Sequence, residues 1–431
     1  MKTNKRLMYA VLGGVLVVNL YLGAQLYLHS AEADSREDVY RNMETFTRVL
    51  EIVRRNYVDE SKINYDELID SALKGMLGRL DPHSEYMDGK RFQAMQSDTR
   101  GEFGGVGVVV SIRNNLLTIV AAMDDTPGAR AGLVAGDQIL KVEGKATERM
   151  SLEEVVEQLR GRPGTKVTFS VRRPSTDEVR EVSVLRAVIK VQTVRDLDGG
   201  AKYSLLPDKI GYVRMASFGD QTSADFDTAL ARLDQLGAKA LVLDLRDNPG
   251  GLLDQSVLVA ERFLPKGQLV VSTEGRFPGD IEKHLADGKV KSRDYPVVVL
   301  VNSGSASASE IVAGCLQDLK RAQLVGQKTF GKGSVQSILP LQNGAALRLT
   351  TAKYYTPSHR VIHEAGILPD HIVEMSADQM RDLMLKRSPG ALESLPEAER
   401  KRVSAVKDTQ LDKALEVLRA KLVPPAKTAT P

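Results

Sequence analysis

Four serines at alternate positions, Ser303, Ser305, Ser307 and Ser309, lie in the run Asn302–Glu310, between the apolar segment Val297–Val301 and a helical pattern reaching about Lys320. A serine between a buried strand and a helix has the geometry of a nucleophile elbow, where unpaired N–H groups of the helix N-terminus can stabilise an oxyanion. Ser307-x-x-Glu310 is equally a capping box, in which the serine only starts the helix, and the local residues leave both readings open. Gly331-Lys332-Gly333 nearly completes a phosphate loop with Gly326, but glycine at 333 replaces the residue that would bind magnesium, and a strand follows. A lysine led from between two glycines into the apolar positions Val335, Ile338 and Leu339 can instead be buried. Its ammonium then loses hydration, its pKa falls and it becomes available as a base; a solvated surface turn is the alternative. The turn Asp244-Leu245-Arg246-Asp247-Asn248-Pro249-Gly250-Gly251 can aim backbone N–H groups into a cleft, although alone it is a common α/β loop.

Other chemistries are excluded. The single cysteine, Cys315, rules out an intrachain disulfide and a cysteine-clustered zinc site. No pair of the six histidines forms an H-E-x-x-H motif, and the His359/His363 pair, at i, i+4, lies between Pro357 and Gly366, which argues against a helix presenting both. No metal and no cofactor are expected. Lys+Arg 59 against Asp+Glu 56 leaves a net charge of +3, too small to indicate a nucleic-acid partner. With 42% apolar and 27% charged residues, the 431-residue chain is globular material for two to four domains.

The positioning elements follow from patterning. Lys2, Lys5 and Arg6 precede an uncharged run, Leu7–Leu28, long enough as a helix (about 33 Å) to cross a hydrocarbon core with its basic flank cytoplasmic. Ala31-Glu32-Ala33 offers a signal-peptide cleavage site as the competing reading. Residues 1–33 are thus an anchor or signal, and the rest is expected outside the cytoplasm: on the periplasmic side of the inner membrane if anchored, secreted if cleaved. Val39, Met43, Phe46, Leu50, Val53 and Tyr57 form a helical seam, and a second pattern runs from Tyr65 to Leu80, so 35–86 reads as an N-terminal helical region for packing or dimerisation. Residues 87–173 change to short β runs with glycine punctuation: Gly104–Val110, Pro127–Leu133, then Gly136-Asp137-Gln138-Ile139-Leu140 and a helix at Leu152–Leu159. This order resembles a PDZ domain of the circularly permuted bacterial type. In that fold, backbone N–H groups of the glycine loop (here Gly105, Val106 and Gly107) hold a chain-terminal carboxylate while the peptide adds a strand. Such a module can also be a spacer. From 190 to 375 strands and helices alternate, an α/β layered sheet. Residues 376–431 carry a helix seam at Leu411, Leu415, Leu418 and Leu422, then a disordered tail from Pro424.

Together, Leu80–Met87, the PDZ segment, Asp244–Gly251, Gly304–Glu310 with Phe330–Gln336, and Leu349–Asp370 resemble the carboxyl-terminal processing peptidases, the tail-specific serine-lysine proteases. The resemblance covers roughly residues 40–375; His359, where the family has glycine, departs from it at a local turn. It implies a crotonase-type α/β core with an upstream PDZ domain and flanking helices. The family nucleophile precedes Ala-Ser-Glu and lies 25 residues before the lysine, and 332 − 307 = 25 selects Ser307 with Lys332. It further implies Gln336 as the residue orienting the lysine, and Ala308 with Gly250 or Gly251 as oxyanion donors. A Ser-Lys dyad needs no histidine. The expectation is an exported serine endopeptidase acting on proteins with unstructured apolar carboxyl-terminal tails, forming homo-oligomers, with an adaptor protein as a further partner. A PDZ scaffold with an inert peptidase domain is the alternative, and a crotonase-like acyl-thioester enzyme a third class.

Overall fold

Runs as uniformly apolar as Val297–Val301 suit a strand covered on both faces. The computed structural model, which describes residues 40–422 apart from 114–115, 124–125, 135, 175, 388–391 and 393–394, buries this run completely. It is central in a six-stranded sheet ordered 194–195, 210–215, 240–244, 297–301, 322–326 and 371–372, parallel except at its first pair. Because side chains alternate across a strand, Val213, Met215, Leu241, Leu243, Val297, Val299 and Val301 pack with one face, among the helices Thr222–Gln235, Leu253–Glu261 and Ala308–Asp318. Tyr212, Val242, Val298 and Leu300 pack on the other against Leu411, Ala414, Val417 and Leu418 of the helix Thr409–Leu422. Each such buried aliphatic side chain is worth roughly 1.5–3 kcal/mol. The expected seam of the C-terminal helix is therefore core.

A second, antiparallel sheet carries the lysine loop. Its long strand Ala346–Tyr355 pairs with Glu85–Met87, Leu269–Gly275 and Ser334–Pro340. The PDZ-like segment is a sheet of strands 108–113, 116–122, 138–142, 166–173 and 178–185, closed by the helix Leu152–Leu159 over its own core of Val106, Ile119, Ile139, Val167 and Phe169.

Three expected boundaries move. Glu85–Met87 pairs with Ala346–Arg348 rather than ending a helical region. A helix, Gly89–Arg100, capped by the Asp88 side chain, precedes the first PDZ strand. The PDZ segment runs past 173, through Glu178–Leu185 and on to Ala187–Lys190, which pairs with Glu102–Gly105. The run Leu7–Leu28 and the tail from Pro424 lie outside the described residues, among which no helix is long and apolar enough to cross a membrane. The described residues 40–80 form a unit of their own, with helices at 40–56 and Tyr65–Gly78. Within it the expected seam is open to solvent at Met43, Phe46 and Tyr57.

Candidate active site

Ser307 stands at the junction of the central strand and the helix Ala308–Asp318, 6% exposed, with φ 54° and ψ −114°. A non-glycine residue there is strained by about 1–3 kcal/mol and needs surroundings that over-determine it. Glu310 supplies them. Its Oε2 accepts the N–H of Ser307 (2.9 Å) and the N–H of Lys332 (2.9 Å), while Oε1 accepts the Gly331 N–H (2.7 Å) and the Thr329 hydroxyl (2.5 Å). Burial raises its pKa, opposed by these four donors. One carboxylate thus brackets the serine elbow to the lysine loop across 22 residues of chain. Serine and glutamate face each other as in a capping box, and the Glu310 carboxylate closes its half of it on the Ser307 N–H. Sequence reasoning saw Glu310 as a cap and missed this bracket, whose second end is visible only in the fold.

The other serines are spoken for or exposed. Ser305 Oγ donates to the Leu245 carbonyl (2.7 Å), and Ser309 Oγ to that of Asn248 (2.9 Å), sewing the serine run to the 244–251 turn. Asn302 adds a reciprocal pair with Asp247, at 2.8 and 2.9 Å. Ser303 is exposed.

Lys332 is half-buried, and burial, followed by the charge of Arg348, lowers its pKa. Among the described residues no carboxylate pairs with its ammonium. Gly333 holds the loop close to its neighbour: a Cβ there would lie 2.1 Å from the His363 backbone nitrogen. Gln336 lies on the adjoining strand opposite Thr350. Its Nε2 donates to Ser334 Oγ (2.8 Å) and Thr350 Oγ1 (3.3 Å).

In the 244–251 turn, Gly250 has φ 101°, and a Cβ on it would sit 2.8 Å from Ser307 Cβ and 3.0 Å from the Ala308 nitrogen. The Ala308 N–H has no acceptor among the described residues. The Gly250 N–H donates to Asn248 Oδ1 (2.9 Å), whereas that of Gly251 has no acceptor among them. The turn is held from behind. Arg246, 2% exposed, bonds Asp244 through Nε (2.9 Å) and Nη2 (2.6 Å), and Asp408 through Nη1 and Nη2 (2.9 Å each). Burial alone would raise the Asp244 pKa, but the Arg246 guanidinium holds it well below the carboxylate range.

A cleft of about 1150 Å³ reaches Pro249–Gly251, with Met87, Phe92, Met95, Phe218, Leu252 and Ile338 among its apolar walls. At the PDZ loop, Gly105 ends a strand paired with Ala187, while Val106 and Gly107 form the turn after it. The Val106 carbonyl accepts the Gly128 N–H at 2.7 Å.

Comparison with known proteins identifies the family of the chain. Residues 209–373 match the model of peptidase family S41, residues 118–173 that of a PDZ domain, and residues 13–91 that of the activating protease CtpB N-terminal domain. The carboxy-terminal-processing protease of Bartonella bacilliformis is 42% identical over 377 residues, 86% of this chain and 83% of that protein. The carboxyl-terminal-processing protease of a Synechocystis species is 38% identical over 327 residues, 75% of each. A putative S41 protease structure from Bacteroides fragilis, 17% identical, covers 84% of this chain and 97% of its own with a TM-score of 0.50, a likeness of fold. The chain belongs to the carboxyl-terminal-processing proteases of peptidase family S41, serine endopeptidases with a PDZ domain.

Proposed function

We propose that this protease cleaves exported proteins chosen by unstructured, apolar carboxyl-terminal tails, with Ser307 as nucleophile and Lys332 as general base. The observation that carries the reading is the shared Glu310 oxygen, which holds the backbones of both residues 2.9 Å away on either side. In this reading the neutral Lys332 amine takes the Ser307 proton as Oγ attacks the scissile carbonyl, and then gives it to the leaving amine. The carbonyl oxygen, now an anion, is received by the Ala308 N–H and a glycine N–H of the turn. Hydrogen bonding favours Gly251, because the Gly250 N–H is already donated to Asn248. Water, deprotonated by Lys332, releases the acyl group. Gln336 positions the amine, its amide oxygen accepting an amine N–H.

Val106 and Gly107, with Gly105 leading into them, hold the substrate's terminal carboxylate, and the apolar cleft takes an extended chain. The exposed helix seam at Met43, Phe46 and Tyr57 suits a homo-oligomer, with an adaptor protein as a further partner. The run Leu7–Leu28 tethers the enzyme on the periplasmic side of the inner membrane. A fluorophosphonate probe tests the nucleophile. The intact protein should gain one adduct, mapped to Ser307 and absent in Ser307→Ala; an adduct on another serine, or none, would overturn the assignment.

A further inference from the structure

On the sheet face away from the serine helix, Arg195 and Arg214 are direct cross-strand partners in an antiparallel pair. Like charges placed opposite each other repel, and such pairs ordinarily find a counter-charge. Two carboxylates lie close by, Asp196 in the wall of the same pocket and Asp244 within reach of the Arg214 charge, but both are largely engaged by other donors. Asp196 accepts the N–H groups of Asp198 and Gly200 on one oxygen and of Lys202 and Tyr203 on the other. Asp244, the register partner of Arg214 on its other side, is taken by Arg246 and the Tyr212 hydroxyl. Among the described residues the Arg214 side chain makes no hydrogen bond or direct ion pair, although its charge bears on Asp244, and the Arg195 side chain gives only its Nε, to the Gln192 carbonyl at 3.1 Å. Both arginines line a pocket of about 170 Å³, and Arg387, anchored on Tyr212 and Asp408, lines it as a third. Burial and the charge of Arg214 also lower the pKa of Arg195.

We propose that this pocket is a binding site for a small oxyanion, a phosphate or a carboxylate, held in the forks of Arg195 and Arg214. Guanidinium forks match the geometry of both groups. The pocket has room for a group of that size. The site is separate from the Ser307 cleft and does not rest on the catalytic assignment.

Thermal melts of the full-length protein test it, in chloride, phosphate and acetate at fixed pH and ionic strength. Wild type should gain stability saturably in phosphate or acetate, and the anion that half-saturates at lower concentration identifies the source. The Arg195→Gln/Arg214→Gln variant should lose that response and melt no lower than wild type in chloride, because the repulsion is gone. No saturable response in wild type, or an undiminished one in the variant, would overturn the site. If that variant fails to fold, Arg214→Lys keeps the charge without the fork. It should raise the half-saturating concentration about tenfold, and an unchanged value would equally overturn the proposal.

Discussion

Ser307 combines a buried hydroxyl with a backbone that only glycine adopts at ease. Ser307→Ala should abolish peptide cleavage. Ser307→Gly should be equally inactive but more stable than the alanine variant by about 1 kcal/mol, because it releases the strain; chemical denaturation of the pair measures the difference. Lys332, with its pKa below the ordinary 10.5, is the group expected to set the rising limb of the pH–rate profile. The amine must be neutral to accept a proton, so activity should rise with pH through that lowered pKa. Lys332→Arg, which keeps its charge, should be as inactive as Lys332→Ala. Substantial turnover by Lys332→Arg would make the lysine a tether and the base another residue. Gly250→Ala should abolish turnover, since its methyl would lie 3.0 Å from the Ala308 nitrogen, where the oxyanion must sit.

The turn 244–251 shows how an element is held in an expensive conformation. Asp247, Gly250 and Gly251 all have positive φ, at 56°, 101° and 146°. The Asp244–Arg246–Asp408 clamp ties this turn to the N-terminus of the last helix, where Asp408 also accepts the Leu411 N–H at 2.9 Å. Removing one partner of a buried pair leaves an uncompensated charge, at about 3–5 kcal/mol. Asp408→Ala should therefore lower stability by that order and slow probe labelling of Ser307, although Asp408 touches neither the serine nor the cleft. Unchanged labelling would show that the C-terminal helix supports the core alone. The elements of the core were legible in the sequence: Ile210–Met215 and Val297–Val301 are strands as their apolar runs predict. The strand Ile281–Leu285 and the helix Gly89–Arg100 were not, because neither has an apolar pattern that stands out from its surroundings.

At the scale of the whole molecule, a family S41 peptidase core and a PDZ domain share one chain. Amidation of a substrate's terminal carboxylate should slow its cleavage, because the PDZ loop loses a charged acceptor; equal rates for acid and amide would mean that the loop does not read the terminus. If Leu7–Leu28 is an uncleaved anchor, the mature protein should begin near Met1 and stay with membranes through a high-salt wash. A mature start at Asp34 would show a cleaved signal instead.

The chain's own residues, read in order, determined the kinds of chemistry on offer: a serine at a strand–helix junction, a lysine between glycines, a glycine turn. They did so because local conformation and apolar periodicity are properties of neighbouring residues. Which serine is unencumbered was a different matter. Family spacing pointed to Ser307, but only the tertiary structure shows the Ser305 and Ser309 hydroxyls spent on the neighbouring turn. In the same way it turned Glu310 from a helix cap into the bracket between Ser307 and Lys332, and Asp408 into a support of a turn 162 residues away. Hydrogen bonds between distant segments leave no periodic trace in the sequence, since each partner is an ordinary polar residue until the sheets bring the two together.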